Sequence, residues 1–216
     1  MSDTMRAALD DGNGIVSIHQ IPMPERFPGS ALIAMKQMGI CGGDLHMNNE
    51  RTDPQTLPSG HEPAGEVIEV PVGEIRIQPG DRVAIEATGS GKACQACYFC
   101  RTGQYPHCID MAEESGGAFA EYMTRTPLGL HKLSDNMSWE EGALVEPLAV
   151  SVHAVRWGGM RGGDTVAVVG SATIGLAAIA AARAHGARKV VASARYPQQK
   201  AMAEACGADL VVGSEP

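Results

Sequence analysis

Four cysteines, Cys94, Cys97, Cys100 and Cys108, fall within fifteen residues in the order CxxCxxCx7C. Thiolates two residues apart can turn toward one point about 2.3 Å from a metal, and four of them close a tetrahedral shell. A closed shell leaves no position for substrate, so the spacing points to a structural zinc. Two other readings use similar spacings: disulfides, which a reducing cytoplasm disfavours, and an iron–sulfur cluster, which usually sits in another fold context. The sixth cysteine, Cys206, reads as a small buried hydrophobe on the last helix.

Around this loop the texture of the chain changes twice. Before about residue 135, short apolar runs (IVSIHQI, ALIAMKQM, GEVIEV, DRVAIEA) are punctuated by Gly and Pro and predict an all-β domain with long loops. After Ser134 the apolar positions take helical spacing, with Ser138 as a cap and Glu141 three residues on. From Asp164 the order is strand (TVAVVG), glycine turn, helix (IGLAAIAAARAHG), strand (KVVASA), helix (PQQKAMAEACG) and strand (DLVV). That is the rhythm of a parallel sheet with crossover helices. The fold class predicted is α/β plus all-β, with residues 1–150 as the first domain and 151–216 as part of a doubly wound domain that normally has about six strands.

Composition removes other classes. Seventeen Lys and Arg against 25 Asp and Glu give a net charge of −8, and no basic run stands out, so no nucleic-acid partner is expected. The opening MSDTMRAALDD has no apolar core of a signal peptide, which predicts a cytoplasmic protein. The uncharged stretch Thr165–Ala182 approaches membrane-span length, but Gly170 and Gly175 inside it argue against a membrane.

VAVVGSATIG has the context of a dinucleotide fingerprint, a strand before it and a helix after it. Its three key positions are Gly170, Ala172 and Gly175, with Thr173 and Ile174 opening the helix whose amides would face a pyrophosphate. Any tight strand-to-helix turn would look similar. At the end of the next strand, where an NAD enzyme carries an acid, the chain has Ser193, Ala194 and Arg195. A missing carboxylate and a placed guanidinium predict NADP, with NAD as the alternative. Cys41, His61 and Glu62 form a further set of ligand types in GICGGDLH and GHEPAGEVIEV, although a cysteine and a histidine twenty residues apart are usually unrelated.

GICGGDLH, then GHE with a glycine three residues beyond the Glu, then the four-cysteine loop, then EPLAV before the glycine turn: in this order the chain resembles the zinc-containing medium-chain alcohol dehydrogenase family, particularly its polyol, sugar and threonine branch. The resemblance implies a GroES-like β-barrel catalytic domain followed by a partial Rossmann domain, the chain being C-terminally truncated relative to a typical member. It implies two zinc ions. Cys41 and His61 would be ligands of the catalytic one, with Glu62 a ligand or immediate neighbour and Glu146 a further carboxylate. It implies oxidation of a secondary alcohol, such as a polyol or sugar, to its ketone by hydride transfer to NADP or NAD, and homo-oligomers in full-length members. His46 matches a proton-relay or ribose-contacting histidine. Gly43 departs from the family's Ser or Thr and cannot relay a proton, and Pro71 replaces a glycine at a turn. The alternative expectation is a truncated, inactive zinc-binding module. A zinc-free quinone reductase relative would leave Cys41, His61 and the four-cysteine loop unemployed.

Overall fold

The computed structural model describes residues 3–50, 52–87, 89–112 and 116–213. They form two compact units, Met1–Glu146 and Pro147–Pro216.

In the first unit, β1 (Thr4–Asp10) and β2 (Val16–Pro22) make an antiparallel hairpin. β3 (Ala31–Gly39), β4 (Glu62–Glu69), β5 (Arg82–Ile85), β6 (Tyr122–Arg125) and β7 (Leu130–Lys132) make an antiparallel sheet in the order β6-β3-β4-β5-β7. Ile33, Val67, Val83, Ile85 and Met123 point into one core, each no more than 2% exposed. The β-branched members suit a pleated, half-buried surface. Among the described residues the strands do not close into a continuous barrel. The hairpin reaches the sheet through one bridge, Ala7 to Ala120, flanked by Ala8 N–H to Phe119 O at 2.8 Å and Glu121 N–H to Arg6 O at 3.0 Å. The reason lies just upstream: Gly117, Ala118 and Phe119 donate to the carbonyls of Pro58, Gly60 and Ser59, so this segment is not free to extend a ladder with β1.

Short helices sit between the strands: α1 (Gly42–Glu50), α2 (Tyr98–Arg101) and α3 (Trp139–Ala143). α3 begins at the expected cap. Ser138 Oγ accepts Glu141 N–H at 3.1 Å, and the Glu141 carboxylate accepts Ser138 N–H at 2.7 Å. The single helix anticipated here breaks at Leu144, and α4 (Val145–Trp157) restarts the run. Pro147 explains the break. It has no N–H to give a preceding turn, and it is tolerated in the first turn of a new helix, where none is needed. At the other departure, Pro71 opens a turn after β4 whose carbonyl accepts Glu74 N–H at 3.2 Å.

The second unit follows the predicted order: β8 (Thr165–Val168), α5 (Thr173–Ala184), β9 (Lys189–Ala194), α6 (Pro197–Ala205) and β10 (Leu210–Gly213). The strands are parallel in the order β10-β9-β8. Ile179, Ala182 and Ala203 from the helices pack with Val190, Ala192 and Val211 from the sheet. Thr165–Ala182 is thus a strand, a turn and part of a helix, and no described helix is long and apolar enough to cross a membrane.

Candidate functional site

The four-cysteine loop folds on itself. Its sulfurs all lie within 4.8 Å of one another, with Cys97 Sγ 3.5 Å and Cys94 Sγ 3.9 Å from Cys100 Sγ. A tetrahedron with metal–sulfur bonds of about 2.3 Å has sulfur–sulfur edges of about 3.8 Å, so the donor set fits zinc without rearrangement. Backbone amides already support negative charge here. Cys94 N–H reaches Cys108 Sγ at 3.3 Å and holds that thiol below its ordinary range. The Cys100 and Ile109 amides bring Cys97 down to about 6. Burial, then the neighbouring sulfurs, pushes Cys100 up to about 12.

A second cluster forms where β3 ends and β4 begins. Cys41, His61 and Glu62 each bring a ligand atom within 4.8 Å of the others. Cys41 stands just before α1, and its Sγ accepts Gly43 N–H at 3.4 Å. Asp44, 7% exposed, reaches back from the first turn of α1: one carboxylate oxygen accepts Cys41 N–H at 2.9 Å, and the other faces His61 Nδ1 at 3.6 Å. The second ring nitrogen, Nε2, is left for a metal, the usual arrangement of a carboxylate behind a ligating imidazole. Glu146, half-buried on α4, has its carboxyl raised above the ordinary range by burial first; the Glu62 charge raises it further and His61 opposes. Crowded carboxylates beside a thiol and an imidazole are relieved by a divalent cation, so this donor set also fits zinc.

In the second unit the glycine turn is laced to the end of β9. Gly170, at φ +91°, donates its N–H to Ser193 Oγ at 2.9 Å, and Ser171 Oγ donates to Ser193 O at 2.9 Å. A Cβ on Gly175 would overlap Gly170 O, so the helix can sit this close to the turn only with glycine there. Ala172 precedes α5 without capping it by a side chain, and Ala172, Thr173 and Ile174 are exposed. The first amides of α5 therefore lack a side-chain acceptor, which suits a phosphate group. Arg195 is exposed beyond β9, its guanidinium 5.6 Å from the Tyr196 ring centroid.

Residues 27–135 match the alcohol dehydrogenase GroES-like domain. The chain belongs to the zinc-containing medium-chain alcohol dehydrogenase family. Among relatives, it is 36% identical to (R,R)-butanediol dehydrogenase of Bacillus subtilis, over 96% of this chain and 63% of that protein. Sorbitol dehydrogenase of the same organism is 32% identical, over 96% of this chain and 61% of the relative. The solved structure of galactitol-1-phosphate dehydrogenase from Escherichia coli superposes with a TM-score of 0.82 at 29% identity, covering 97% of this chain and 61% of that one. The chain thus spans about three fifths of the length of these relatives.

Of the residues expected from the alcohol dehydrogenase pattern, Cys41, His61 and Glu62 come together, Glu146 lies within electrostatic reach of His61 and Glu62, and the four cysteines form their own group. His46 is exposed on α1, and no described contact ties it to the cluster. Ser193, expected at a cofactor site, holds the Gly170 amide with its hydroxyl. Asp44 was missed. The signal was available, an acid three residues after a cysteine just before a helix, but GGDLHMNNE has no apolar periodicity to announce that helix.

Proposed function

We propose that this chain is the metal-binding and nucleotide-binding portion of a zinc-dependent oxidoreductase that interconverts a secondary alcohol, of the polyol or sugar type, and its ketone, in the cytoplasm and with NADP in preference to NAD. The observation that carries this reading is the convergence of Cys41, His61 and Glu62, with Glu146 alongside, in a chain whose second unit offers uncapped amides at the start of α5. None of the six cysteines is paired in a disulfide, which suits a reducing compartment. Bound here, zinc supplies Lewis acidity that lets a substrate hydroxyl lose its proton, and the nicotinamide accepts the hydride.

The chain's own residues do the rest. Cys41, His61, Glu62 and Glu146 hold the catalytic zinc, and the four-cysteine loop holds the second. Asp44 fixes the orientation of His61. Gly43 provides no hydroxyl to pass a proton outward. A Cβ there would stand 3.7 Å from Cys41 Sγ and meet nothing else, so the space beside the thiol admits water, and the exposed His46 receives the proton from it. Elemental analysis should return two zinc ions per chain, one for each donor cluster. The companion assay is reduction of NADP in the presence of a panel of polyols. A single zinc that persists when Cys41 is replaced would sink the catalytic centre.

Cofactor choice rests on Arg195 and on the absence of a carboxylate at the end of β9. Arg195→Ala is expected to lower the kcat/KM ratio of NADP over NAD by about tenfold, the loss of one charge-assisted contact of about 1.5 kcal/mol. An unchanged ratio would defeat the phosphate-clamp role. A second reading, a zinc module that does not turn over, is favoured by Gly43. Zinc at two per chain with no oxidation of any polyol would select it.

A further inference from the structure

Glu62 is 8% exposed, and among the described residues its carboxylate makes no hydrogen bond or ion pair. Yet the nearby Glu146 feels its charge. With no such bond to fix the carboxylate, what holds it in this place needs an explanation. The explanation lies across the sheet. Gly39 and Glu62 are the last antiparallel pair of β3 and β4, and the Glu62 side chain lies over the bare backbone of Gly39. A Cβ on residue 39 would overlap Glu62 Oε2, and it would stand 3.1 Å from both Cβ and Cδ of the same side chain. The three atoms nearest to that Cβ all belong to the Glu62 side chain. Gly39 also lies outside the left-handed region, so its backbone would accept any L-residue. The first atom a side chain at 39 would meet is therefore the Glu62 carboxylate oxygen.

We propose that Gly39 is a positioning residue for the open metal centre: its missing side chain is the space that keeps the Glu62 carboxylate beside Cys41 and His61. This rests on the metal-centre reading above and adds to it the element that decides whether the centre has Glu62's negative charge next to it. Cys41 follows Gly39 by two residues and His61 precedes Glu62 by one, so the same end of the β3–β4 ladder that sets the ligands sets this space. The overlapping atom is the far end of a flexible side chain. An alanine at 39 is therefore accommodated by rotating the carboxylate away and by a shift of a few tenths of an ångström at Glu62 Cβ, with the fold retained and the charge removed from the cluster.

The experiment compares Gly39→Ala, Glu62→Ala and the double variant, in the protein as purified and after cobalt replaces zinc at the open site. Gly39→Ala is expected to fold, to bind cobalt about tenfold to a hundredfold more weakly, and to shift the visible cobalt bands as Glu62→Ala does. In the Glu62→Ala background, Gly39→Ala should change neither affinity nor spectrum further. Equal losses in both backgrounds would show that residue 39 acts through the backbone, and no loss in the single variant would show that the space is idle. Either result overturns the proposal. If the wild-type protein takes up no cobalt at Cys41, the metal-centre reading fails separately, and the melting temperatures decide the rest. A decrement from Gly39→Ala that vanishes once Glu62 is alanine supports the pairing, and one that persists refutes it.

Discussion

Cys100→Ser is expected to remove one zinc per chain and to lower the melting temperature by about 10 °C or more. Cys100 is the most buried of its four, 5% exposed, and its sulfur touches those of Cys94 and Cys97. The segment around it has only α2, of four residues, and a few single-turn bonds to hold its shape. Metal binding is then folding free energy for this loop. A site worth even about 4 kcal/mol shifts the midpoint by roughly 8–16 °C in a chain of this size. The pH dependence has a definite sign. Without metal, Cys97 is a thiolate above about pH 6, whereas Cys100, at about 12, keeps its proton through neutrality. Zinc takes thiolates, so binding expels the Cys100 proton, and affinity rises with pH by about tenfold per unit for that proton. Below about pH 6 the Cys97 proton competes as well and the dependence steepens. Competition with a chelator at several pH values checks this, and a flat profile would contradict the assignment of four thiolates.

Much of the second unit was legible because its signals are local. A β-branched run, a glycine and an apolar period of 3.6 each act within one element, and β8, α5, β9, α6 and β10 all follow. The first unit was read in outline only. β2 to β5 announce themselves by apolar runs, but β6 and β7 are four and three residues long, too short for any period to show. Among the described residues the hairpin joins the sheet through a single bridge, a detail that no sequence window contains, since residues 117–119 bond to the 58–60 segment nearly sixty residues away. The site divides the same way. The four cysteines are close in sequence, so their spacing speaks for itself. Cys41 and His61 meet only because β3 pairs with β4, and their pairing was readable through family resemblance alone. Asp44 left only a faint local signal, an acid three residues after a cysteine, and Gly39 is visible only in three dimensions, by what it leaves free.

Cys41→Ser separates the chemistry of the open centre from its fold. Serine is among the best residues at a helix start, and its hydroxyl can accept the Gly43 N–H that Cys41 Sγ now accepts at 3.4 Å. The other bonds of this turn, Cys41 N–H to the Asp44 carboxylate and Asp44 N–H to Cys41 O at 3.0 Å, do not involve the sulfur. Stability should therefore change by no more than about 1 kcal/mol. A neutral hydroxyl is a poor substitute for a thiolate ligand, however, so zinc should fall from two per chain to one. Turnover should fall by about a thousandfold, because Lewis-acid stabilisation is worth several kcal/mol and each 1.4 kcal/mol is a factor of ten. Asp44→Ala supplies the contrast. It leaves every ligand in place but removes the carboxylate that holds both the Cys41 amide and the face of His61, so metal affinity should drop by about tenfold to a hundredfold. Excess zinc should then restore activity to Asp44→Ala and not to Cys41→Ser. Recovery of both would mean that Cys41 is not a ligand, and recovery of neither would mean that Asp44 holds up the fold of α1 and not the orientation of His61.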